Sequence, residues 1–230
     1  MNTTQCLMNP FYQDCYFSDY DGQAESFYIF IEGNHLPRRL RESETLHIGE
    51  TGFGTGLNLL SLLSCVLTDP SHLISIKYSS LEKYPLTTER IKELLHPFEK
   101  TLGTNLTLYL TYWSSFYESL TPGWNRCVWE FPSVQLDYNL YVGDARDWCR
   151  EIEPRAVDAW FLDGHSPDKN PEIWSPSVLQ SVYDKTAAGG TLASFTASGI
   201  VKSPLREAGF FIKRKKGFGA KRHMIQGTKS

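Results

Sequence analysis

Four carboxylates in this 230-residue chain follow short apolar runs. Glu50 comes after Leu46–Gly49, Glu82 after Leu73–Tyr78, Asp144 after Leu140–Val142, and Asp163 after Val157–Leu162. Beside the first, three glycines alternate as Gly52, Gly54 and Gly56, in the pattern E-x-G-x-G-x-G. A strand that ends in a glycine turn and resumes as a helix brings backbone N–H groups against a nucleotide-like ligand. Glycine permits this because it accepts positive φ and has no Cβ to hold the ligand off. The spacing is not the G-x-G-x-x-G of dinucleotide binding. With an acid leading it, it points to S-adenosylmethionine rather than NAD.

In open α/β sheets, ligands bind beyond the carboxyl ends of the strands, so four acids at strand ends are candidates for one site. Glu50 and the glycines would form the cofactor turn. Glu82, 26 residues past Gly56, is spaced to accept two ribose hydroxyls. Asp144 would accept the adenine amino group, and Asp163 would face the reacting end. Taken singly, such an acid reads as readily as a helix cap or turn former.

The elements that must position these groups alternate between strand and helix. Helical patterns cover Leu57–Leu67, Leu86–Leu95, Ala145–Glu151, Ser175–Lys185 and Ile200–Ala208. Strands are expected at Leu46–Gly49, Leu73–Tyr78, Leu140–Val142, Val157–Leu162, Thr191–Phe195, Phe210–Lys213 and His223–Gln226. That order implies an α/β fold with a mostly parallel sheet and helices on both faces. Residues 1–44 read as an N-terminal β extension, with strands at Tyr16–Ser18 and Phe27–Ile31 around an Asp21-Gly22 turn. Residues 98–140 read as an insertion with a hairpin, Cys127–Phe131 against Leu136–Tyr141. The aromatic run from Tyr109 to Tyr117 is assigned to packing, and His47 to the core.

With 41% apolar and 21% charged residues, the chain reads as one folded domain, 1–230. Five cysteines without C-x-x-C spacing suggest reduced thiols, no metal site and a cytoplasmic location. No apolar run is long enough to cross a bilayer, so no membrane partner is expected. Residues 201–230 carry nine Lys/Arg and one acid, a local +8 against −11 on the rest. By charge alone this basic segment serves a phosphate backbone as readily as a guarded edge strand.

The chain resembles the methyltransferase-domain family of the bifunctional tRNA-modifying protein MnmC and its stand-alone MnmD-type relatives. The matching blocks are DCYFS (Asp14–Ser18), GETGFGTGLN (Gly49–Asn58), LEKYPLT (Leu81–Thr87), VDAWFLDGHSPDKNPEIW (Val157–Trp174), GGTLASFTASGIV (Gly189–Val201), EAGF (Glu207–Phe210) and KGFGAKRHM (Lys216–Met224). The resemblance implies a Rossmann-like class I S-adenosylmethionine-dependent methyltransferase. It would methylate the 5-aminomethyl amine of (2-thio)uridine at the tRNA wobble position. The family's FAD-dependent oxidase domain has no counterpart in these residues, so the chain reads as the transferase part, linked functionally to an enzyme that supplies the aminomethyl group. Two positions depart from the family: His165 stands where an aromatic is usual, and Lys202-Ser203-Pro204 where basic residues are.

On this reading Asp163 is the candidate base for the amine, or a group that only orients the cofactor. Tyr16, with the cofactor, and Phe17, with the substrate base, could stack, or simply pack. His165, Lys169 (beside Asn170), Lys216, Lys221 and Arg222 are the further candidates for substrate contact. A small-amine methyltransferase and a silent RNA-binding protein of the same fold are the alternatives.

Overall fold

The computed structural model describes residues 8–17, 21–67, 73–148 and 156–230. An N-terminal hairpin pairs β1 (Met8–Asn9) with β2 (Asp14–Cys15). Helix α1 (Gly22–Ser26) runs on into a π-helical segment, Phe27–Glu32, and α2 (Leu36–Glu42) follows. Next come β3 (Thr45–Glu50), α3 (Leu57–Leu67), β4 (Ile74–Glu82), α4 (Thr88–Leu95), α5 (Glu99–Leu102) and α6 (Thr104–Glu118). The second half holds β5 (Gly123–Phe131), β6 (Val134–Val142), α7 (Ala145–Trp148), β7 (Val157–Leu162) and α8 (Pro176–Lys185). It closes with β8 (Thr186–Ser194), α9 (Gly199–Ala208), β9 (Phe211–Lys216) and β10 (His223–Thr228).

Among the described residues, eight strands form one mixed sheet in the order β5-β6-β4-β3-β7-β8-β10-β9. The five from β6 to β8 are parallel; β5, β10 and β9 join antiparallel at the two sides. Central parallel strands are covered on both faces and therefore read as nearly unbroken apolar runs, as β7 does with Val157 and Ala159–Leu162 buried. One face carries α3, α4, α6 and the π-helical segment, with Leu59, Leu63, Trp113 and Tyr138 in its core. The other carries α7, α8 and α9 around Trp148, Trp160, Val178 and Leu205. The Rossmann-like architecture is the one expected.

Four local expectations differ. Tyr16 and Phe17, expected in a strand, lie beyond the end of β2 and outside any strand. Phe27–Ile31 is helical, not a strand. Its apolar residues bury Ile29, Phe30 and Ile31 against the sheet, and a short apolar run fits a buried helix as well as a strand. Asp21 is accordingly a helix cap, its carboxylate accepting the Ala24 N–H at 3.0 Å, rather than part of a hairpin turn. Residues 98–140 do carry the hairpin, but β6 lies within the parallel core beside β4, and α6 buries Tyr109, Trp113 and Phe116. Cys15 is disulfide-bonded, against the expectation of reduced thiols, while Cys65 and Cys127 are thiols outside any disulfide. Ser18 and the end of the helix expected at Ala145–Glu151 fall outside the described residues.

Candidate active site

The chain steps outward from β3 to β4 and β6, then returns to place β7 on the other side of β3. At such a switch point the flanking loops part and leave a crevice beyond the strand ends. Here it is a cavity of about 550 Å³, lined by the loop after β3, the ends of β4 and β7, the N-terminal hairpin, α1 and the β9–β10 turn.

The glycine loop is pinned on both sides. Thr51 N–H donates to the Phe161 carbonyl and Phe53 N–H to the Leu81 carbonyl, at 3.2 and 2.9 Å. A Cβ on Gly52 would meet Gly164 Cα at 3.0 Å and the Asp163 carbonyl at 3.2 Å, so any larger residue would press the two loops apart by a few tenths of an ångström. Gly56 has φ +77°, and a Cβ there would fall 2.4 Å from the Tyr109 hydroxyl. That hydroxyl donates to the Thr55 carbonyl at 2.8 Å, so the aromatic helix α6 buttresses the loop from below.

Glu82 lines the cavity, and its two oxygens accept the N–H groups of Gly54 and Tyr84, each at 2.9 Å. Burial raises its pKa, opposed by these backbone bonds. Asp144 also lines the cavity but is held by Arg146, at 2.8 and 2.9 Å, and by Lys83 at 3.1 Å. The Arg146 guanidinium, with Lys83, keeps it well below the usual carboxylate range.

Asp163 stands at the end of β7 within a network that the sequence reading did not foresee. The amide nitrogen of Asn58 donates to Asp163 Oδ2 at 2.6 Å and to Glu50 Oε1 at 2.9 Å. Ser26 donates to Asn58 Oδ1 at 2.6 Å, which orients the amide. Ser80 donates to the other Glu50 oxygen at 2.7 Å, and the Gly164 N–H to Asp163 Oδ1 at 2.7 Å. Burial pushes Asp163 up to about 6 and Glu50 up to about 8. Burial thus opposes a second negative charge on the pair, and Glu50, the deeper of the two, is raised the more.

Glu50 has a stability consequence. Its carboxyl has an ordinary pKa of 4.5 and a raised one of about 8 in the fold. Its contribution to stability is therefore full below pH 4.5 and is lost as pH climbs through about 8. Glu50→Gln cannot ionise, so its melting temperature should gain on the wild type's between about pH 5 and pH 8.5. A difference that stays constant across that range would contradict this.

The structure gathers Tyr16, Phe17, Gly52, Gly54, Glu82, Asp144, Asp163, His165 and Lys221 around the cavity. Glu50 and Gly56 lie beneath it instead of lining it. Lys169 and Lys216 are exposed and do not line it, and Arg222 borders a separate shallow depression with Lys221. Phe17 packs edge-on against Phe98 at 5.4 Å. The imidazole of His165 is committed to holding the hairpin. Asn9 Oδ1 accepts the Phe11 N–H at 2.9 Å, so its Nδ2 faces and donates to His165 Nε2 at 2.9 Å. The Nδ1 proton then points to Asp14, 3.7 Å away. Burial lowers the His165 pKa and keeps the ring neutral. His47 is the core residue expected, 2.8 Å from Ser79 and lowered to about 4 by burial.

Sequence reasoning missed Asn58, Glu25 and Phe195. Asn58 closes the block Gly49–Asn58 and Phe195 lies within Gly189–Val201, yet neither carried a role there, and nothing local marked Glu25. Among the described residues, no cluster of three or more His, Cys, Asp or Glu could hold a metal ion. No described helix is long and apolar enough to cross a membrane.

A family model described as S-adenosyl-L-methionine-dependent methyltransferase matches residues 111–230. The chain is 39% identical over 219 residues to the tRNA 5-methylaminomethyl-2-thiouridine biosynthesis bifunctional protein MnmC of Chromohalobacter salexigens, covering 94% of this chain and 30% of that protein. It is 36% identical over 228 residues to the protein of the same name from Vibrio campbellii, covering 94% and 33%. The chain thus spans about a third of the length of the curated relatives it matches. Among solved structures, MnmC2 from Aquifex aeolicus superposes with a TM-score of 0.70 at 25% identity, over 96% of this chain and 65% of that one. Spermidine synthase from Thermotoga maritima shares the fold, with a TM-score of 0.53 at 11% identity over 95% and 64%.

Proposed function

Because the chain belongs to the family of S-adenosyl-L-methionine-dependent methyltransferases, we propose that it methylates the 5-aminomethyl amine of (2-thio)uridine at the tRNA wobble position, giving 5-methylaminomethyl-(2-thio)uridine. The observation that carries the reading is Asp163: a carboxylate at the switch point, fixed by Asn58 and the Gly164 N–H, inside a cavity that also holds the glycine loop. The relatives named for 5-methylaminomethyl-2-thiouridine biosynthesis align over 94% of the chain and supply the substrate class.

The residues present fit the cofactor. The Gly52–Gly54 turn faces the cavity, Glu82 lines it with a carboxylate that would accept ribose hydroxyls, and Tyr16 flanks the turn, 3.9 Å from where a Cβ on Gly54 would lie. The lining holds six carboxylates against two lysines, which suits a cationic sulfonium. Bound there, S-adenosylmethionine supplies the electrophilic methyl carbon.

The chain's own residues then act by positioning and proton transfer. A primary amine is protonated in water and must lose a proton before its lone pair can attack. Asp163 accepts that proton. Asn58 holds the carboxylate in place, and the burial that raises Glu50 below it disfavours a competing charge there. The nitrogen so freed would take the methyl group from bound S-adenosylmethionine, the electron pair of the carbon–sulfur bond going to sulfur. Acting on tRNA, the chain would work in the cytoplasm, downstream of an enzyme that makes the aminomethyl group.

The test is incubation with labelled S-adenosylmethionine and tRNA from cells lacking the modification, followed by nucleoside analysis. Label in 5-methylaminomethyl-(2-thio)uridine is expected. Label on free polyamines alone would replace this reading with a small-amine methyltransferase, and no label at all would favour a silent RNA-binding protein.

A further inference from the structure

Glu25 sits on α1, next to the Ser26 that orients Asn58, and its side chain is 11% exposed. Lys221, on the turn between β9 and β10, reaches back into the cavity. Its ammonium lies 2.7 Å from Glu25 Oε1 and 5.0 Å from the centroid of the Phe195 ring. Its charge also reaches Asp163 and favours the ionised carboxylate there. One primary ammonium therefore rests against a buried carboxylate and a ring face, beside the candidate base.

Structural lysines in this fold look different. Lys229 is buried, and its ammonium donates to the carbonyls of Tyr183 and Thr186 at 2.6 and 2.9 Å. Lys221 is 44% exposed and lies at the rim. Its surroundings are those that recognise an alkylammonium: a charge-assisted acceptor and the negative face of an aromatic ring. Both flank Asp163, where a methyl acceptor must lose its proton.

We propose that Glu25 and Phe195 form the receptor for the substrate's primary ammonium, and that the Lys221 ammonium occupies this receptor until substrate enters. This deepens the preceding reading and rests on it, since it requires a primary-amine acceptor. Glu25 captures the substrate as a cation, and Asp163 then takes the proton. Recognition and deprotonation are thereby divided between two carboxylates.

The test pairs a change in the protein with a change in the substrate. Affinities are measured for tRNA bearing 5-aminomethyl-2-thiouridine and for the same tRNA with unmodified uridine, using the full chain. A hydrogen-bonded charge pair should favour the aminomethyl tRNA about 10- to 100-fold in the wild type. In Glu25→Gln that preference should fall to within about twofold of unity, with S-adenosylhomocysteine affinity held within about twofold. Phe195→Leu, which keeps an apolar side chain, should lower the preference about threefold or more; it decides the matter if Glu25→Gln does not fold.

A purely structural Glu25–Lys221 pair would weaken both tRNAs equally and leave the preference intact, overturning the receptor. If the wild type yields methylated nucleoside while the preference is unchanged in both variants, only the receptor is lost. If the wild type yields no methylated tRNA nucleoside, the tRNA reading fails and the receptor fails with it.

Discussion

Asp163→Ala is expected to lower kcat for methyl transfer about 100- to 10,000-fold, the usual contribution of a positioned general base. The wild-type pH profile of kcat/KM should rise through a limb near 6, where Asp163 ionises, and that limb should vanish in the variant. The sign follows from burial, which raises the Asp163 pKa: below the limb the carboxyl is protonated and cannot accept the amine proton. Because Asp163 also raises Glu50, its removal should lower the Glu50 pKa, visible as a weaker loss of stability with rising pH. S-adenosylhomocysteine binding and the circular dichroism spectrum serve as controls for the site and the fold. Turnover within a few-fold of wild type in folded Asp163→Ala would take Asp163 out of the chemistry. A limb near 6 that persists would assign that titration to another group.

The frame around this residue was legible because local chemistry and position in the sheet agree there. Val157–Leu162 reads as a fully buried strand and forms one, and the apolar Leu57–Leu67 becomes α3 over the same residues. Acids directly after such strands must gather at one edge of a parallel sheet, which is why Glu82, Asp144 and Asp163 share a cavity.

What stayed hidden depends on approach between distant segments. Asn58 and Asp163 are 105 residues apart and meet only because α3 packs across the end of β7. Glu25 lies on a helix that runs on into the π-helical segment Phe27–Glu32, and the run Phe27–Ile31 within it reads as a strand, which hides the helix that carries Glu25. Glu50 was legible as part of the turn but not as a buried group, because its depth is set by Asn58 above and Ser80 beside it. Asp144 shows the converse: its ties to Arg146, two residues on, and to Lys83, one residue past the Glu82–Val142 pairing of β4 with β6, commit a carboxylate that the strand-end pattern left free.

The second large effect should be the salt dependence of tRNA affinity. Strand β10 is antiparallel to β8 and β9 antiparallel to β10, so β9 runs alongside β8 in the same direction. Its basic end therefore reaches the sheet edge where the cavity opens. Lys213, Arg214, Lys215 and Lys216 are all exposed on it, as are Lys221 and Arg222 in the following turn. Lys229, by contrast, is internal and contributes nothing to this surface. The exposed lysines also guard an edge strand against pairing, a role that would leave RNA affinity indifferent to salt. Phosphate contacts would not. With three to six of them at about 0.7 to 0.9 counterions released each, affinity should fall about 20-fold to 2,000-fold between roughly 50 and 200 mM salt. Side chains alternate across a strand, so Lys213→Ala/Lys215→Ala and Arg214→Ala/Lys216→Ala report on opposite faces of β9. The pair that faces RNA should make the slope of log affinity against log salt shallower by about 1.5, and the other pair should change it little. A flat wild-type slope, or identical slopes in the wild type and both double variants, would reduce β9 to a guarded edge.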